Sequence, residues 1–264
     1  MESFCLITGA SGGIGMEFAR IFAKNGYNLV LVARNREKLE TLKEELETRY
    51  AVEVITYPAD LTSSAEIERL YEYLTCENIS VNILVNNAGF GDLSAFFDSE
   101  WERQQALIDL NITALVRLTY LIGNNMRKHG SGKIINLSSV AAFSAGPNMS
   151  LYYASKSFVL SFSEALSEEL KGSGVTVTAL CPGPTATGFE KNANMGRSVM
   201  FSRFKPATAA QVAQVGYRAA MHGKSVKYHG FVTYAFNLVS RLLPRSMARS
   251  LAAGMNQKQS TESF

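Results

Sequence analysis

The sequence predicts a single α/β domain in which a doubly wound parallel sheet carries helices on both faces, followed by a C-terminal helical extension. Three observations predict this fold class. Short apolar runs alternate with helix-like segments as far as about residue 230, the runs are apolar throughout, and a glycine-rich turn follows the first run directly. Continuous apolar runs are typical of strands buried on both faces of a parallel sheet. Their alternation with helices implies right-handed crossovers.

The six predicted strands are these apolar runs, and they occupy residues 4–8, 28–33, 52–57, 82–85, 133–137 and 175–180. Between them, apolar residues recur with helical spacing, as in the series Leu39, Leu42 and Leu46. No internal repeat or linker divides the chain. Residues 1–255 are therefore predicted to form one domain, and the polar residues 256–264 a frayed tail.

The composition is that of a globular protein and not of a disordered or nucleic-acid-binding one. The chain has 264 residues, of which 47% are hydrophobic and 19% charged, and its formal net charge is +3. These values are typical of a soluble globular protein, and they give no reason to expect a nucleic-acid partner. Cys5, Cys76 and Cys181 are far apart, so free thiols and a cytoplasmic location are predicted. We expect no secretory leader, no transmembrane segment and no metal site.

A glycine-rich turn connects the first predicted strand to the helix after it. Its candidate cofactor-binding residues are Gly9, Ser11, Gly12, Gly13, Ile14 and Gly15. Glycines let the backbone approach a diphosphate closely, and the N-terminus of the helix offers N–H groups and partial positive charge. A plain strand–helix turn is the alternative interpretation. The position after the first strand of a βαβ unit favours a dinucleotide site.

The end of the second predicted strand distinguishes between the two nicotinamide cofactors. An NAD site usually has an acidic residue there, which accepts hydrogen bonds from the ribose 2′-hydroxyl. Here Ala33 is followed by Arg34, with Arg36 two residues further on. A guanidinium binds the 2′-phosphate of NADP, so the sequence favours NADP(H) over NAD(H). The alternative is that both arginines are merely solvated at the start of a helix.

Three polar residues form a candidate catalytic group. Ser139 follows a strand directly, and Tyr152 and Lys156 are four residues apart in a helical pattern, so they share one face. A phenol has a pKa near 10, and a neighbouring cation lowers that pKa. We therefore expect Tyr152 to move a proton, Lys156 to lower its pKa and Ser139 to orient the substrate oxygen. Tyr153 is predicted to be a packing residue.

In these motifs the sequence resembles the short-chain dehydrogenase/reductase family over nearly its whole length. The matching motifs are Thr-Gly-x-x-x-Gly-x-Gly from Thr8, Asp60-Leu61, Asn-Asn-Ala-Gly from Asn86, Asn111, Ser139, Tyr-x-x-x-Lys from Tyr152, and Pro182-Gly183 with Thr185. The resemblance implies a Rossmann-type fold in which Asp60 and Leu61 border the adenine of the cofactor. It implies cofactor-binding roles for Asn87, Ala88, Gly89, Tyr152, Lys156, Pro182, Gly183 and Thr185, and a water relay from Asn111 to Lys156.

Within the family, the sequence looks like the NADP-dependent carbonyl and hydroxysteroid-type reductases. This resemblance implies a substrate lid at about residues 186–204 and a homodimer or homotetramer. The apolar segment 231–251 could pack on its own core or a second subunit, line the pocket, or contact a membrane peripherally. A bulky apolar ketone or secondary alcohol is the expected substrate. The alternative function is an NADP-binding structural or sensory protein without turnover.

Overall fold

A computed structural model describes residues 3–189 and 206–256, and its centre is a seven-stranded, all-parallel sheet. The strands run in the order β3-β2-β1-β4-β5-β6-β9. They are β1 (Phe4–Thr8), β2 (Asn28–Ala33), β3 (Val54–Pro58), β4 (Val81–Asn86), β5 (Gly132–Leu137), β6 (Val175–Pro182) and β9 (Val226–His229). A separate parallel pair consists of β7 (Thr185–Ala186) and β8 (Ala207–Thr208). The strand order reverses between β1 and β4, where such sheets open a crevice for ligands.

Helices cover both faces of the main sheet. They are α1 (Gly13–Lys24), α2 (Arg36–Arg49), α3 (Ser64–Cys76), α4 (Trp101–Ile108), α5 (Leu115–Lys128), α6 (Ser150–Glu169), α7 (Ala209–Met221), α8 (Phe231–Leu242) and α9 (Arg245–Met255). On one face Phe18 and Phe22 of α1 pack with Val212 of α7. On the other face Leu70 of α3 packs with Leu118 of α5. Each strand contributes alternate side chains to the two faces, which is why the central strands are mostly apolar.

All six predicted strands are present, with boundaries within two residues of those expected, and the doubly wound fold is confirmed. The sequence analysis missed β9. This strand pairs with β6 alone at the edge of the sheet, and its Val-Lys-Tyr-His sequence exposes Lys227. An edge strand has one partner and a wetter surface, so it lacks the continuous apolar run by which the other strands were recognised.

The C-terminal extension is helical, as predicted, and Pro244 separates α8 from α9. One expectation is wrong at its boundary: Asn256, placed by the sequence in a frayed tail, is only 1% exposed. Its amide is bonded to residues about a hundred positions earlier, so a polar residue near the C-terminus belongs to the packed domain. Residues 257–264 lie outside the described residues, as does most of the predicted lid, of which 186–189 are described.

One continuous helical segment, Trp101–Lys128, has the length and composition of a membrane-crossing helix. We expected no transmembrane segment, because the apolar residues of this segment are not consecutive. The segment includes α4, a π-helical stretch at Asp109–Ala114, and α5. Leu118, Ile122 and Met126 of its apolar side are buried against the sheet. A core helix of a soluble protein passes the same test, so this is weak evidence for a membrane span.

Candidate active site

A cleft of about 570 Å³ lies along the carboxyl ends of the strands, at the reversal between β1 and β4. Nearly all of the residues singled out in the sequence line it: Gly9, Ser11, Gly12, Gly13, Ile14, Arg34, Asp60, Leu61, Asn87, Ala88, Gly89, Ser139, Tyr152, Lys156, Pro182, Gly183 and Thr185. Gly15 and Asn111 do not line it and lie just behind its wall. Parallel strands bring these segments together because their carboxyl ends share one edge.

The glycine-rich turn packs directly against the loop that follows β4. A Cβ on Gly15 would lie 2.4 Å from the Gly9 carbonyl oxygen and 2.5 Å from Nδ2 of Asn87. That amide nitrogen donates to the carbonyl oxygens of Thr8, at 2.9 Å, and Gly9, at 3.3 Å. Gly9 and Gly13 also have positive φ, 67° and 54°, which favour glycine.

Gly12 differs from the other glycines of this turn. Its backbone is extended, and a Cβ there would meet no atom of the described residues within 4 Å. Packing within residues 3–189 and 206–256 therefore does not require glycine at this position. The space lies over the N-terminus of α1, whose N–H groups favour an anion. A cofactor diphosphate fits this cradle.

The outer end of the cleft, beyond β2 and β3, is basic. Arg34 has 78% of its side chain exposed, and its Nη1 is 4.0 Å from an Asp60 carboxylate oxygen. Asn35 and Lys38 line the same end, and the Asn35 side chain accepts a hydrogen bond from the Lys38 backbone N–H. The sequence analysis missed both residues. Lys38 could have been predicted as a cleft residue, because it is a basic residue only four positions after Arg34.

Ser139, Tyr152 and Lys156 meet at the middle of the cleft. Ser139 lies in the loop after β5, just before a 3₁₀ turn. Its Oγ accepts a hydrogen bond of 3.1 Å from the Ala141 backbone N–H. Its hydroxyl also lowers the pKa of Tyr152, against the larger effect of burial. Lys156 Nζ donates to the Leu137 carbonyl oxygen at 2.9 Å and lies 5.7 Å from the centroid of the Tyr152 ring. The structure thus brings the three predicted residues together.

The ionisation of these residues differs from the sequence expectation. Burial raises the pKa of Tyr152, and the hydrogen bond from Ser139 opposes that rise only in part. Burial also lowers the pKa of Lys156 to about 8. We expected Lys156 to lower the pKa of Tyr152, but the two influences on that pKa in this structure are burial and Ser139, and burial is the larger. Tyr152 is therefore a neutral phenol at neutral pH.

Asn111 lies in the π-helical stretch between α4 and α5 and is buried. Its Nδ2 donates to the Phe90 carbonyl oxygen at 2.9 Å, and its Oδ1 accepts from the Phe90 N–H at 3.1 Å. The side chain thereby fixes the loop after β4. A Cβ on Gly89 would lie 2.9 Å from Asn111 Oδ1 and 3.5 Å from Lys156 Nζ, so glycine lets this loop pass between them.

The inner end of the cleft, beyond Tyr152, is apolar. Leu93, Ala141, Met149 and Tyr153 form a buried cluster, and Tyr152 and Phe189 pack against it. The rings of Tyr152 and Phe189 have centroids 5.5 Å apart. Thr185 is buried beside this end, where its hydroxyl donates to the Gly183 carbonyl oxygen at 2.8 Å. The cleft is therefore polar on one side of Tyr152 and apolar on the other.

The C-terminus of α9 reaches this apolar cluster. Ala252 packs in the cluster, and Oδ1 of Asn256 accepts a hydrogen bond of 3.1 Å from the Tyr153 hydroxyl. Nδ2 of Asn256 donates to the Pro147 carbonyl oxygen at 2.9 Å. Tyr153 neighbours Tyr152 in sequence, so the end of the described chain braces the loop and helix that carry the candidate catalytic tyrosine.

Comparisons with known proteins agree with this geometry. A family model described as short chain dehydrogenase matches residues 3–222. The chain is 38% identical over 198 residues to 17-beta-hydroxysteroid dehydrogenase type 3 of Mus musculus, which covers 74% of this chain and 64% of that protein. The chain thus spans slightly less than two thirds of the length of that relative.

Two solved structures are similar over nearly the whole chain. A short-chain dehydrogenase from Sphingobium yanoikuyae in complex with NADPH has a TM-score of 0.81 and 32% identity, covering 92% of this chain and 94% of the other. The bulky-bulky ketone specific alcohol dehydrogenase from Comamonas testosteroni has a TM-score of 0.77 and 29% identity, covering 92% of each chain. With the matched family model and the shared site, these similarities show that the chain belongs to the short-chain dehydrogenase family.

Proposed function

We propose that this protein is an NADP(H)-dependent oxidoreductase that interconverts a bulky apolar ketone and the corresponding secondary alcohol. One observation carries the proposal: Tyr152 shares the cleft with Ser139 and lies where the polar half of the cleft meets the apolar half. A proton donor at that boundary can reach an oxygen atom on a substrate held in the apolar half. The polar half suits a dinucleotide.

The outer end of the cleft supports NADP(H) over NAD(H). Arg34 and Lys38 line it, and neither Ala33 nor Arg34 provides the carboxylate that a ribose 2′-hydroxyl would use. Asp60 lies 4.0 Å from Arg34 and keeps the guanidinium beside the cleft. Gly12 leaves space for the diphosphate, and a bound nicotinamide would supply or accept the hydride.

The protein's own groups would move the proton. Tyr152 is protonated at neutral pH, so it can donate to a carbonyl oxygen that gains negative charge as a ketone is reduced. Ser139 would hold that oxygen. Lys156, with a pKa near 8, is mostly cationic at neutral pH and would bind the nicotinamide ribose. Asn111 would act as a positioning residue by fixing the loop at Phe90.

The apolar half of the cleft supports a bulky, water-poor substrate. Met149, Phe189 and Ala141 offer no polar side-chain atom to a small hydroxylated ketone. Apolar walls exclude water, and burial of apolar substrate surface supplies most of the binding free energy in such pockets. The names of the hydroxysteroid dehydrogenase and bulky-ketone relatives are consistent with this class.

We further propose a cytoplasmic homodimer or homotetramer. The support for an oligomer is a group of exposed aromatic residues on and near α4, α5 and α6, which comprises Phe97, Trp101, Tyr120 and Phe158. Exposed aromatic surface of this kind is typical of subunit interfaces. Sedimentation equilibrium of the full chain tests the proposal, and a monomer at micromolar concentration would contradict it.

The Tyr152→Phe variant tests the reaction. It should reduce kcat for ketone reduction by about 10²–10⁴-fold, while NADPH still quenches protein fluorescence with unchanged affinity. Tyr153→Phe is the matched control, because it removes a hydroxyl from the adjacent residue, and it should lower kcat by no more than about tenfold through the lost bond to Asn256. Equal rates for Tyr152→Phe and the unmodified protein would refute the role of Tyr152. NADPH binding without turnover of any ketone or alcohol by the unmodified protein would favour a structural or sensory role instead.

A further inference from the structure

The helices α8 and α9 expose large apolar side chains that their own packing does not use. Six such residues are between 41% and 77% exposed: Tyr234, Leu238, Val239, Leu242, Met247 and Leu251. Among the side chains of these helices that the structure describes, the buried ones are small or polar, namely Thr233, Asn237, Ala248 and Ala252. A helix that packs only on the core of its own domain buries its large apolar side chains and exposes its polar ones. We refer to these six residues together with Arg245 and Arg249 as the α8–α9 surface.

Tyr234, Leu238 and Leu242 are four residues apart, so they form one continuous stripe along α8. The stripe lies on the solvent side, since Thr233 and Asn237 face inward. An amphipathic helix of this kind lies in the plane of a membrane interface with its apolar face among the acyl chains.

The charges of the chain divide sharply between its two parts. Up to Glu190 the sequence has 15 basic and 22 acidic residues, whereas after Glu190 it has 11 basic residues and one acidic residue, Glu262. The N-terminal part therefore has a net charge of −7 and the C-terminal part +10. Arg245 and Arg249 of α9 are exposed, and no ion pair in the described part of the chain involves either of them.

This charge distribution indicates what covers the α8–α9 surface. A symmetric contact with a second copy would bring Arg245 and Arg249 of both subunits together, with no acidic residue between 191 and 261 to neutralise them. An anionic bilayer satisfies both features, because its acyl chains accept the apolar stripe and its headgroups attract the arginines. We propose that the α8–α9 surface docks the protein on anionic lipid bilayers.

Docking there would place the cleft next to the lipid. Directly before α8, Tyr228 of β9 has its ring centroid 5.6 Å from that of Phe143 in the 3₁₀ turn after Ser139, and 6.3 Å from that of Tyr234. A Cβ on Gly183, in the cleft wall, would lie 2.8 Å from Thr233 of α8. An apolar substrate dissolved in the bilayer could therefore enter without crossing water, although docking itself does not depend on the proposed reaction.

Flotation of the full chain with lipid vesicles tests this proposal. Vesicles of phosphatidylcholine mixed with phosphatidylglycerol should bind the protein, pure phosphatidylcholine vesicles should bind it less, and added salt should weaken the binding. Leu242→Glu and the double variant Arg245→Glu/Arg249→Glu should each lower the partition coefficient on the order of tenfold. Matched controls are Arg127→Glu and the double variant Arg127→Glu/Lys128→Glu, at exposed residues of α5.

Thermal unfolding without lipid should be the same for all four variants, because each altered side chain is exposed. Equal partition of the α8–α9 variants and the unmodified protein would overturn the proposal, as would equal binding to both vesicle types. A change in sedimentation coefficient of the α8–α9 variants without lipid would assign the surface to contact between copies of the chain, and would also overturn it.

Discussion

The two halves of the cleft are built in different ways. The cofactor half consists mainly of backbone, in which Gly9 and Gly15 let the turn after β1 pack against the loop after β4. The substrate half consists mainly of side chains, such as Met149, Tyr153 and Ala252, which come from distant parts of the sequence. Backbone geometry restricts the residue types that fit, whereas an apolar wall can be formed by many combinations of side chains.

This difference explains why the cofactor half can be predicted from the sequence and the substrate half cannot. A turn that requires positive φ and close backbone contact leaves a recurring pattern of glycines. An apolar cluster assembled from residues 93, 141, 149, 153 and 252 leaves none, because each member looks like an ordinary core residue. Substrate choice should therefore change more readily than cofactor binding when single residues in this fold are replaced.

The largest effect should come from the charged outer end of the cofactor half. Arg34→Asp should turn a preference for NADPH of about tenfold or more into a preference for NADH, because a carboxylate repels the 2′-phosphate and accepts hydrogen bonds from a ribose hydroxyl. Fluorescence titration with both cofactors measures the change. Arg36→Asp is the matched control, since Arg36 is exposed but does not line the cleft. Equal affinities for the two cofactors in the unmodified protein would contradict this account.

A second comparison separates two glycines of the same turn. Gly15→Ala should lower the free energy of unfolding by about 1–3 kcal/mol, because the new Cβ overlaps the Gly9 carbonyl oxygen. Gly12→Ala should leave unfolding nearly unchanged and weaken NADPH binding, because space at Gly12 is kept for the ligand. Urea denaturation without cofactor and NADPH titration measure the two effects. If Gly12→Ala lowered the free energy of unfolding as much as Gly15→Ala, then Gly12 would be required for packing of the protein and not for cofactor binding.

The sequence predicted the parts of the structure that local rules determine. The six apolar strands, the pairing of Tyr152 with Lys156 and the break at Pro244 follow from runs, helical spacing and proline geometry. The edge strand β9 was missed because it has no continuous apolar run. The burial of Asn256 was missed because a polar residue near a C-terminus is usually exposed to solvent. The raised pKa of Tyr152 was also missed, since burial depends on packing from Phe189 and the 149–153 region.

In the substrate half, Asn256 should act as a positioning residue. Asn256→Ala removes both hydrogen bonds that hold Tyr153 and Pro147, so kcat should fall about tenfold while the Kd for NADPH stays the same. Tyr153→Phe breaks one of these bonds, and the double variant should be no worse than Asn256→Ala. Ser250→Ala, at an exposed residue of the same helix, is the control. Additive losses in the double variant would show that the bond between the two residues does not matter.

The smallest effect concerns Lys156, at the junction of the two halves. Burial lowers its pKa from 10.5 to about 8. Between about pH 8 and pH 10.5 the unfolded chain therefore binds more protons at this residue, and its contribution to the free energy of unfolding rises with pH. Lys156→Met removes that contribution, so the unmodified protein should gain stability relative to the variant across this window. Urea midpoints measured at several pH values test the sign, and parallel curves would contradict it.

The central claim is that one half of the cleft binds NADP(H) and the other a bulky apolar ketone. Its most direct test is the rate of NADPH oxidation by the unmodified protein with a steroid-like ketone and with a small polar ketone, repeated with NADH. We predict a kcat/KM for the bulky ketone about tenfold or more above that for the small one, with NADPH as the better cofactor. Equal values for both ketones and both cofactors would contradict the account.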